Sequence, residues 1–296
     1  MQLVTGLTDL PKEAVVTCGE FDGIHTGHLL LLQQLVRKAT ALNKPSVVIL
    51  FEPPTHLKNP RLSSLREKLT LLRNLAVDYV YCFRISKSHT LPHFAEKILF
   101  GLLNCRAVLL EEEMPCLQQL KQLAESHHCE VEFFNNTSSQ TNAIGQLLAE
   151  GQIEKVKPLL GRLYSLCGRV IKGNQMGRQW GIPTANLNVH QRVLPLCGVF
   201  CVTIKRQDGT CYQGVANLGN RPTIDGLQQV LEVHLFDFND NLYGEMLEIF
   251  FLHKLRDERK FADINALIAQ IHQDISEAKH YHHKLEKTRS TKSPAR

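Results

Sequence analysis

From Ala14 onward, short uninterrupted apolar runs alternate with segments in which apolar residues recur every three or four positions. The runs Ala14–Cys18, Ser46–Phe51, Tyr79–Ile85, Ala107–Leu110 and Glu130–Phe134 predict strands. Between the first two, Leu29, Leu32, Leu35, Val36, Ala39 and Leu42 follow the helical period. Strand-helix alternation of this kind predicts a Rossmann-like domain over residues 1–160: a parallel sheet with helices on both faces and its ligand site at the carboxyl ends of the strands.

After Gly161-Arg162-Leu163-Tyr164 the period changes. Ser165–Ile171, Gly198–Ile204, Cys211–Leu218, Val230–Phe236 and Leu247–Phe251 are short, strand-like and separated by turn signals such as Asp208-Gly209 and Asn239-Asp240-Asn241. They predict a small antiparallel β-barrel over residues 161–283. A closing helix over Phe261–Tyr281 carries Ile264, Leu267, Ile268, Ile271 and Ile275 on one side and is expected to pack across the barrel.

The chain has 296 residues, enough for two domains of ordinary size, and its 43% apolar and 21% charged content is that of a soluble globular protein. Asp9, Lys12 and Glu13 interrupt the opening where a secretory signal needs an apolar run, and no run approaches the ~20 residues of a membrane span. Nine scattered cysteines without a Cys-x-x-Cys pair read as reduced, buried small hydrophobes, which predicts a cytoplasmic protein. The net charge of +5 is concentrated in residues 284–296, where five basic residues face Glu286 alone; that stretch reads as a disordered basic tail rather than a nucleic-acid surface. His280, His282 and His283 read as an exposed helix end, since no carboxylate or cysteine joins them as a metal ligand.

Two stretches carry chemistry. The first is Gly19-Glu20-Phe21-Asp22-Gly23-Ile24-His25-Thr26-Gly27-His28, at the end of the first strand and the start of a helix. A helix start offers free N–H groups, Gly27 lets a phosphate approach them, and His25 and His28 can stabilise charge on a leaving pyrophosphate. The second is Arg169 to Asn186, in which Gly173, Gly177 and Gly181 are interleaved with Lys172 and Arg178 and followed by Pro183-Thr184-Ala185-Asn186. Glycines there let the backbone approach a polyphosphate, and the oxygens of Thr184 and Asn186, two residues apart in an extended segment, suit Mg²⁺ shared with a nucleotide.

The second string, Gly-x-x-x-Gly-Arg-x-x-Gly-Ile-Pro-Thr-Ala-Asn, resembles the signature of the riboflavin kinases. The first resembles the HxGH motif of the nucleotidyltransferases, in the version found in bacterial bifunctional riboflavin kinase/FMN adenylyltransferases. Further segments are similar to the same family: Phe51-Glu52-Pro53-Pro54, Val193-Leu194-Pro195, Gly214 to Thr223, Leu231-Glu232-Val233-His234 and Phe251 to Glu258. The resemblance implies an ATP- and Mg²⁺-dependent kinase that makes FMN from riboflavin, joined to a domain that adenylylates FMN to FAD. It implies Glu232 as general base, Gly173, Gly177 and Arg178 with Phe21, Asp22 and Gly27 as nucleotide-binding, Asn217 and Arg256 as flavin-binding, and Asn217–Thr223 as a flap over the substrates.

The first half departs from the family in two places. Glu111-Glu112-Glu113-Met114-Pro115 replaces a glycine-rich flavin loop, and Ala143 and Gly145 stand where the family has phosphate-binding arginines. Arginine forks bind phosphate in a way alanine and glycine cannot imitate. A kinase alone, with the first domain a non-catalytic flavin- or partner-binding module, is therefore the alternative.

Overall fold

The computed structural model describes residues 1–52, 60–84, 91–112, 117–135, 137–173, 176–189, 193–223 and 226–290. The expectations placed on Pro53-Pro54, on Met114-Pro115 and on the last six residues lie outside them. Two compact units divide the chain, Met1–Ala143 and Ile144–Arg296.

In the first unit, β1 (Gln2–Val4), β2 (Val15–Gly19), β3 (Ser46–Glu52), β4 (Tyr79–Arg84), β5 (Ala107–Glu111) and β6 (Glu130–Phe134) form one sheet in the order β1-β4-β3-β2-β5-β6. Every pair is parallel. The continuous apolar runs are explained by alternation across the two faces of this sheet. Val15, Val48, Leu50, Ala107 and Leu109 join one core with Leu31, Leu32 and Leu35 of helix α1 (Thr26–Ala41) and Leu72 of α2 (Leu65–Arg73). Val16, Cys18, Val47, Ile49, Phe51, Val108 and Leu110 join another with Phe94 of α3 (Leu91–Phe94), Ala95 and Leu99 of its π-helical continuation, and Leu120 and Ala124 of α4 (Leu117–Ser126). Strands buried on both faces need apolar residues at every position. β1 was not expected; three residues with only Val4 buried make too short a run to show a period.

Helices α5 (Thr137–Ala149) and α6 (Ile153–Leu160) lead to the barrel. β7 (Ser165–Ile171), β8 (Ala185–Asn188), β9 (Gly198–Lys205), β10 (Cys211–Thr223), β11 (Gly226–Leu235) and β12 (Met246–Arg256) close in the order β10-β11-β8-β7-β12-β9, all antiparallel. A one-turn helix, α7 (Met176–Gln179), stands in the glycine-rich loop. β8 was read only as an extended segment, since its four residues fall short of a run. Asn217–Thr223, expected as a flap, forms the far half of β10, laddered to β11 as far as Thr223 opposite Gly226.

The final helix, α8, runs Ile264–Ser290 and takes in residues 284–290, which were expected in the tail. Ile275, Ala278, Tyr281 and Leu285 pack against Val199, Cys201, Val215, Phe236 and Leu252 of the barrel. Its most buried line is Gln270, Asp274, Ala278 and His282, spaced four apart, whereas Ile264 is 55% exposed. His282 is thus not an exposed helix end: it is 5% exposed, and its Nε2–H donates to the Val202 carbonyl at 3.1 Å. None of the described cysteines forms a disulfide; Cys18, Cys105, Cys129 and Cys201 are buried as expected, while Cys211 is exposed.

Candidate functional site

Three antiparallel strands of the barrel place three polar residues in one row. Asn217 of β10 stands opposite Glu232 of β11, and Glu232 stands opposite Asn186 of β8. All three line a cavity of about 420 Å³ together with Gly177, Thr184 and Arg256. The structure therefore brings together five of the residues expected to bind flavin, hold a metal or act as base, although they come from four separate stretches of sequence. Asn186 is 7% exposed.

A second cavity of about 470 Å³ lies beside Arg178, Gly181, Pro183 and Tyr243. Thr184 lines both cavities. The glycines beside it are there for room. A Cβ on Gly173 would stand 2.3 Å from the Asn186 carboxamide nitrogen, and one on Gly177 would stand 2.3 Å from the Ile182 carbonyl oxygen. Gly181 instead has φ +74°, the left-handed region that favours glycine.

Thr184, Asn186 and Glu232 offer a hydroxyl, a carboxamide and a carboxylate, hard oxygens of the kind Mg²⁺ takes. Among the described residues no group of three or more His, Cys, Asp or Glu could hold a metal ion by itself. That donor set fits a cation that arrives with a nucleotide and shares its phosphates.

Arg256 is placed in the cavity but its guanidinium is engaged. Its Nε donates to both carboxylate oxygens of Asp274 at 2.9 and 3.1 Å, and its Nη2 donates at 2.8 Å. Gln270 donates to the same carboxylate at 2.7 Å. The fork is thus spent on α8, and Phe261 lies under it at 5.6 Å from the ring centroid. Asp274, Glu258 and His234 also line the cavity and were not expected in it. His234 was legible, because it follows Glu232 by two residues and shares its face of the strand. Asp274 was not, because it reads as one more polar position on a helix.

In the first unit, His25 and His28 open α1 directly after the β2 loop. This is where the strand order reverses between β2 and β5, the place where open α/β sheets bind ligands. The loop is strained: Phe21 has φ +47° and Ile24 has φ +39°, and both are buried. Asp22 braces it, accepting from the backbone N–H groups of Leu62 and Ser63 at 2.8 Å each and from the Ser63 hydroxyl at 2.9 Å. Its carboxylate is therefore occupied by the protein.

His25 caps α1, its Nδ1 accepting from the His28 N–H at 3.4 Å. The proton then sits on Nε2, which stands 3.0 Å from the Thr141 hydroxyl. The two imidazoles stack at 3.8 Å. His28 Nε2 lies 3.1 Å from the Glu111 carboxylate at the end of β5, and its buried Nδ1 has no partner among the described residues. Gly27 N–H donates to the Gln140 side-chain oxygen at 3.1 Å, so the helix start already has an acceptor. Glu111, the first residue of the string that stands in place of the flavin loop, is the end of β5 and is paired with the second histidine.

Two family models match the chain, one described as riboflavin kinase over residues 160–282 and one as FAD synthetase over residues 7–144. Among curated proteins, the chain is 36% identical over 303 residues to a bifunctional riboflavin kinase/FMN adenylyltransferase of Haemophilus influenzae, covering 94% of this chain and 98% of that one. It is 35% identical over 306 residues to the protein of the same name from Escherichia coli strain K12, covering 95% and 98%. Among solved structures, a protein described as a macrolide-efflux protein from Streptococcus pneumoniae aligns with a TM-score of 0.75 at 26% identity, over 92% of this chain and 97% of that one. The two models tile both units, and the relatives match them end to end: the chain belongs to the bifunctional riboflavin kinase/FMN adenylyltransferase family.

Proposed function

We propose that the second unit phosphorylates riboflavin to FMN at the expense of ATP. Glu232, in the strand row with Asn217 and Asn186, takes the proton of the ribityl 5′-hydroxyl. The oxygen forms a bond to the γ-phosphorus as the bond from that phosphorus to the β-γ bridging oxygen breaks, and ADP leaves. Positioning supplies most of the rate, and a base of this kind contributes about 10²–10⁴-fold. Thr184 and Asn186 would hold Mg²⁺, which neutralises charge on the phosphates when bound. The flavin takes the cavity lined by Asn217 and Arg256, and the nucleotide takes the neighbouring one beside Arg178, its phosphates reaching Gly173 and Gly177, the latter in the lining of the first cavity.

The observation that carries this reading is that Thr184 lines both cavities while Glu232 stands in the row beside it. A wall shared by two pockets, with a carboxylate on one side, is what transfer between two substrates requires. The test is FMN formation from riboflavin, ATP and Mg²⁺ in the full-length protein. Glu232→Gln, which keeps shape and hydrogen bonding, should lower kcat at least a hundredfold with riboflavin affinity retained; undiminished turnover would show the base to be wrongly assigned.

The first unit is read as the site that adenylylates FMN to FAD, with His25 and His28, beside Phe21, Asp22 and Gly27, receiving the triphosphate. The match to the FAD synthetase model supports it. The functional boundaries we propose are residues 1–160, 161–283 and a basic end from 284. No helix of the described residues is long and apolar enough to cross a membrane. We place the enzyme in the cytoplasm, acting on small molecules and not on nucleic acid.

A further inference from the structure

The ladder between β11 and β8 pairs Leu231 with Leu187, Glu232 with Asn186 and Val233 with Ala185, and it stops there. Thr184 is the next residue beyond its end. The position that carries one of the two proposed metal oxygens is therefore not held by sheet hydrogen bonds to the strand that carries the base. One side chain bridges that gap. His234 Nδ1 lies 2.8 Å from the carbonyl oxygen of Pro183, the residue before Thr184. A carbonyl only accepts, so the bond requires the proton on Nδ1 and fixes the tautomer.

His234 lines the cavity on the Glu232 side, and Pro183 lines the neighbouring cavity on the Arg178 side. The bond runs through the partition at which Thr184 stands. Proline fixes φ on one side of that peptide, and the histidine fixes its carbonyl on the other. Reacting groups lose function when displaced by about 0.5 Å, so an anchor one residue from a metal oxygen acts on the nucleotide complex more than on fold or flavin.

We propose that His234 is the positioning residue that sets Thr184 against the Glu232 strand, by donating its Nδ1–H to the Pro183 carbonyl. This rests on the kinase reading for what Thr184 does. It assigns His234 no contact with the reacting atoms. Its ring also meets Phe236 edge-on at 5.8 Å, a packing role that an apolar side chain preserves.

Two full-length variants separate these roles. His234→Leu keeps the packing and removes the donor; His234→Asn places an amide N–H near the position of Nδ1. Binding of a non-hydrolysable ATP analogue is measured by calorimetry with Mg²⁺ and with EDTA, riboflavin binding by fluorescence quenching, and FMN formation as KM and kcat. The Leu variant should lose at least fivefold of the affinity gained on adding Mg²⁺ and raise KM for Mg·ATP correspondingly, with a smaller loss of riboflavin affinity, since the ring also lines the flavin cavity. The Asn variant should retain the Mg²⁺-dependent gain within twofold. A Leu variant with the full gain, an Asn variant as impaired as Leu, or a loss equally large in EDTA overturns the proposal while leaving the kinase reading intact. Wild-type protein that makes no FMN overturns both.

Discussion

The Arg256–Asp274 pair gives the sharpest test of how α8 closes the cavity. Asp274 is 2% exposed and accepts three contacts from Arg256 and one from Gln270. Removing one partner of a buried ion pair costs about 3–5 kcal/mol, because the other charge is left uncompensated. Here the Arg256 side chain keeps 19% of its exposure and can be partly rehydrated, which puts Asp274→Ala near the lower end, at about 2–3 kcal/mol. Asp274→Asn retains one oxygen and the shape, so about half that loss is expected. Full-length protein would be unfolded in urea with fluorescence of Trp180, the single tryptophan, which lies in this unit. With a slope near 2 kcal/mol/M, the alanine variant should unfold at about 1 M less urea. Both residues line the cavity, so riboflavin affinity should fall in the same order, alanine below asparagine. An alanine variant within about 0.5 kcal/mol of wild type would refute the reasoning, since it would mean the pair cancels against its own desolvation.

Three further outcomes follow from single contacts. Gly177→Ala meets a backbone carbonyl that cannot swing aside, so KM for ATP should rise about tenfold, read by steady-state kinetics. Burial holds the His282 imidazole below its usual range, against its bond to the Val202 carbonyl, so the unfolded chain binds its proton first. The stability it contributes is complete above about pH 6.5 and lost as pH falls below that value, and His282→Gln should flatten the decline in urea midpoint between neutral pH and pH 5. Glu111→Gln removes a negative charge 3.1 Å from His28, so FAD formation from supplied FMN should rise severalfold in product chromatography; an unchanged rate would mean that Glu111 does not face the triphosphate.

Where burial in this fold is apolar, the sequence displays it; where burial is polar, it does not. β3 is readable because Val47, Val48, Ile49, Leu50 and Phe51 are buried on two faces and leave an unbroken run. The polar row in the cavity was readable only residue by residue, because Glu232 interrupts an apolar strand and Asn186 follows a proline. That Asn217, Glu232 and Asn186 stand abreast is a matter of register between strands far apart in sequence. On α8 the apolar period pointed to Ile264, which is exposed, while Gln270, Asp274 and His282 line the buried face. Their partners, Arg256 and the Val202 carbonyl, belong to β12 and β9, and no local pattern announces them.

The same logic separates the two units. In the barrel, Asp274 is matched to a guanidinium, while Glu232 stands between Asn217 and Asn186 in the strand row. In the first unit, Glu111 lies against His28, and the Gln140 oxygen takes the Gly27 N–H that a phosphate would use. A triphosphate entering there must displace a carboxamide and approach a carboxylate, without the two arginines the family places nearby. Adenylyl transfer is therefore the step expected to limit FAD formation, and FMN is expected to accumulate ahead of FAD when the full-length protein is given riboflavin and ATP; FAD appearing as fast as FMN would mean that residues of this chain other than those arginines receive the triphosphate.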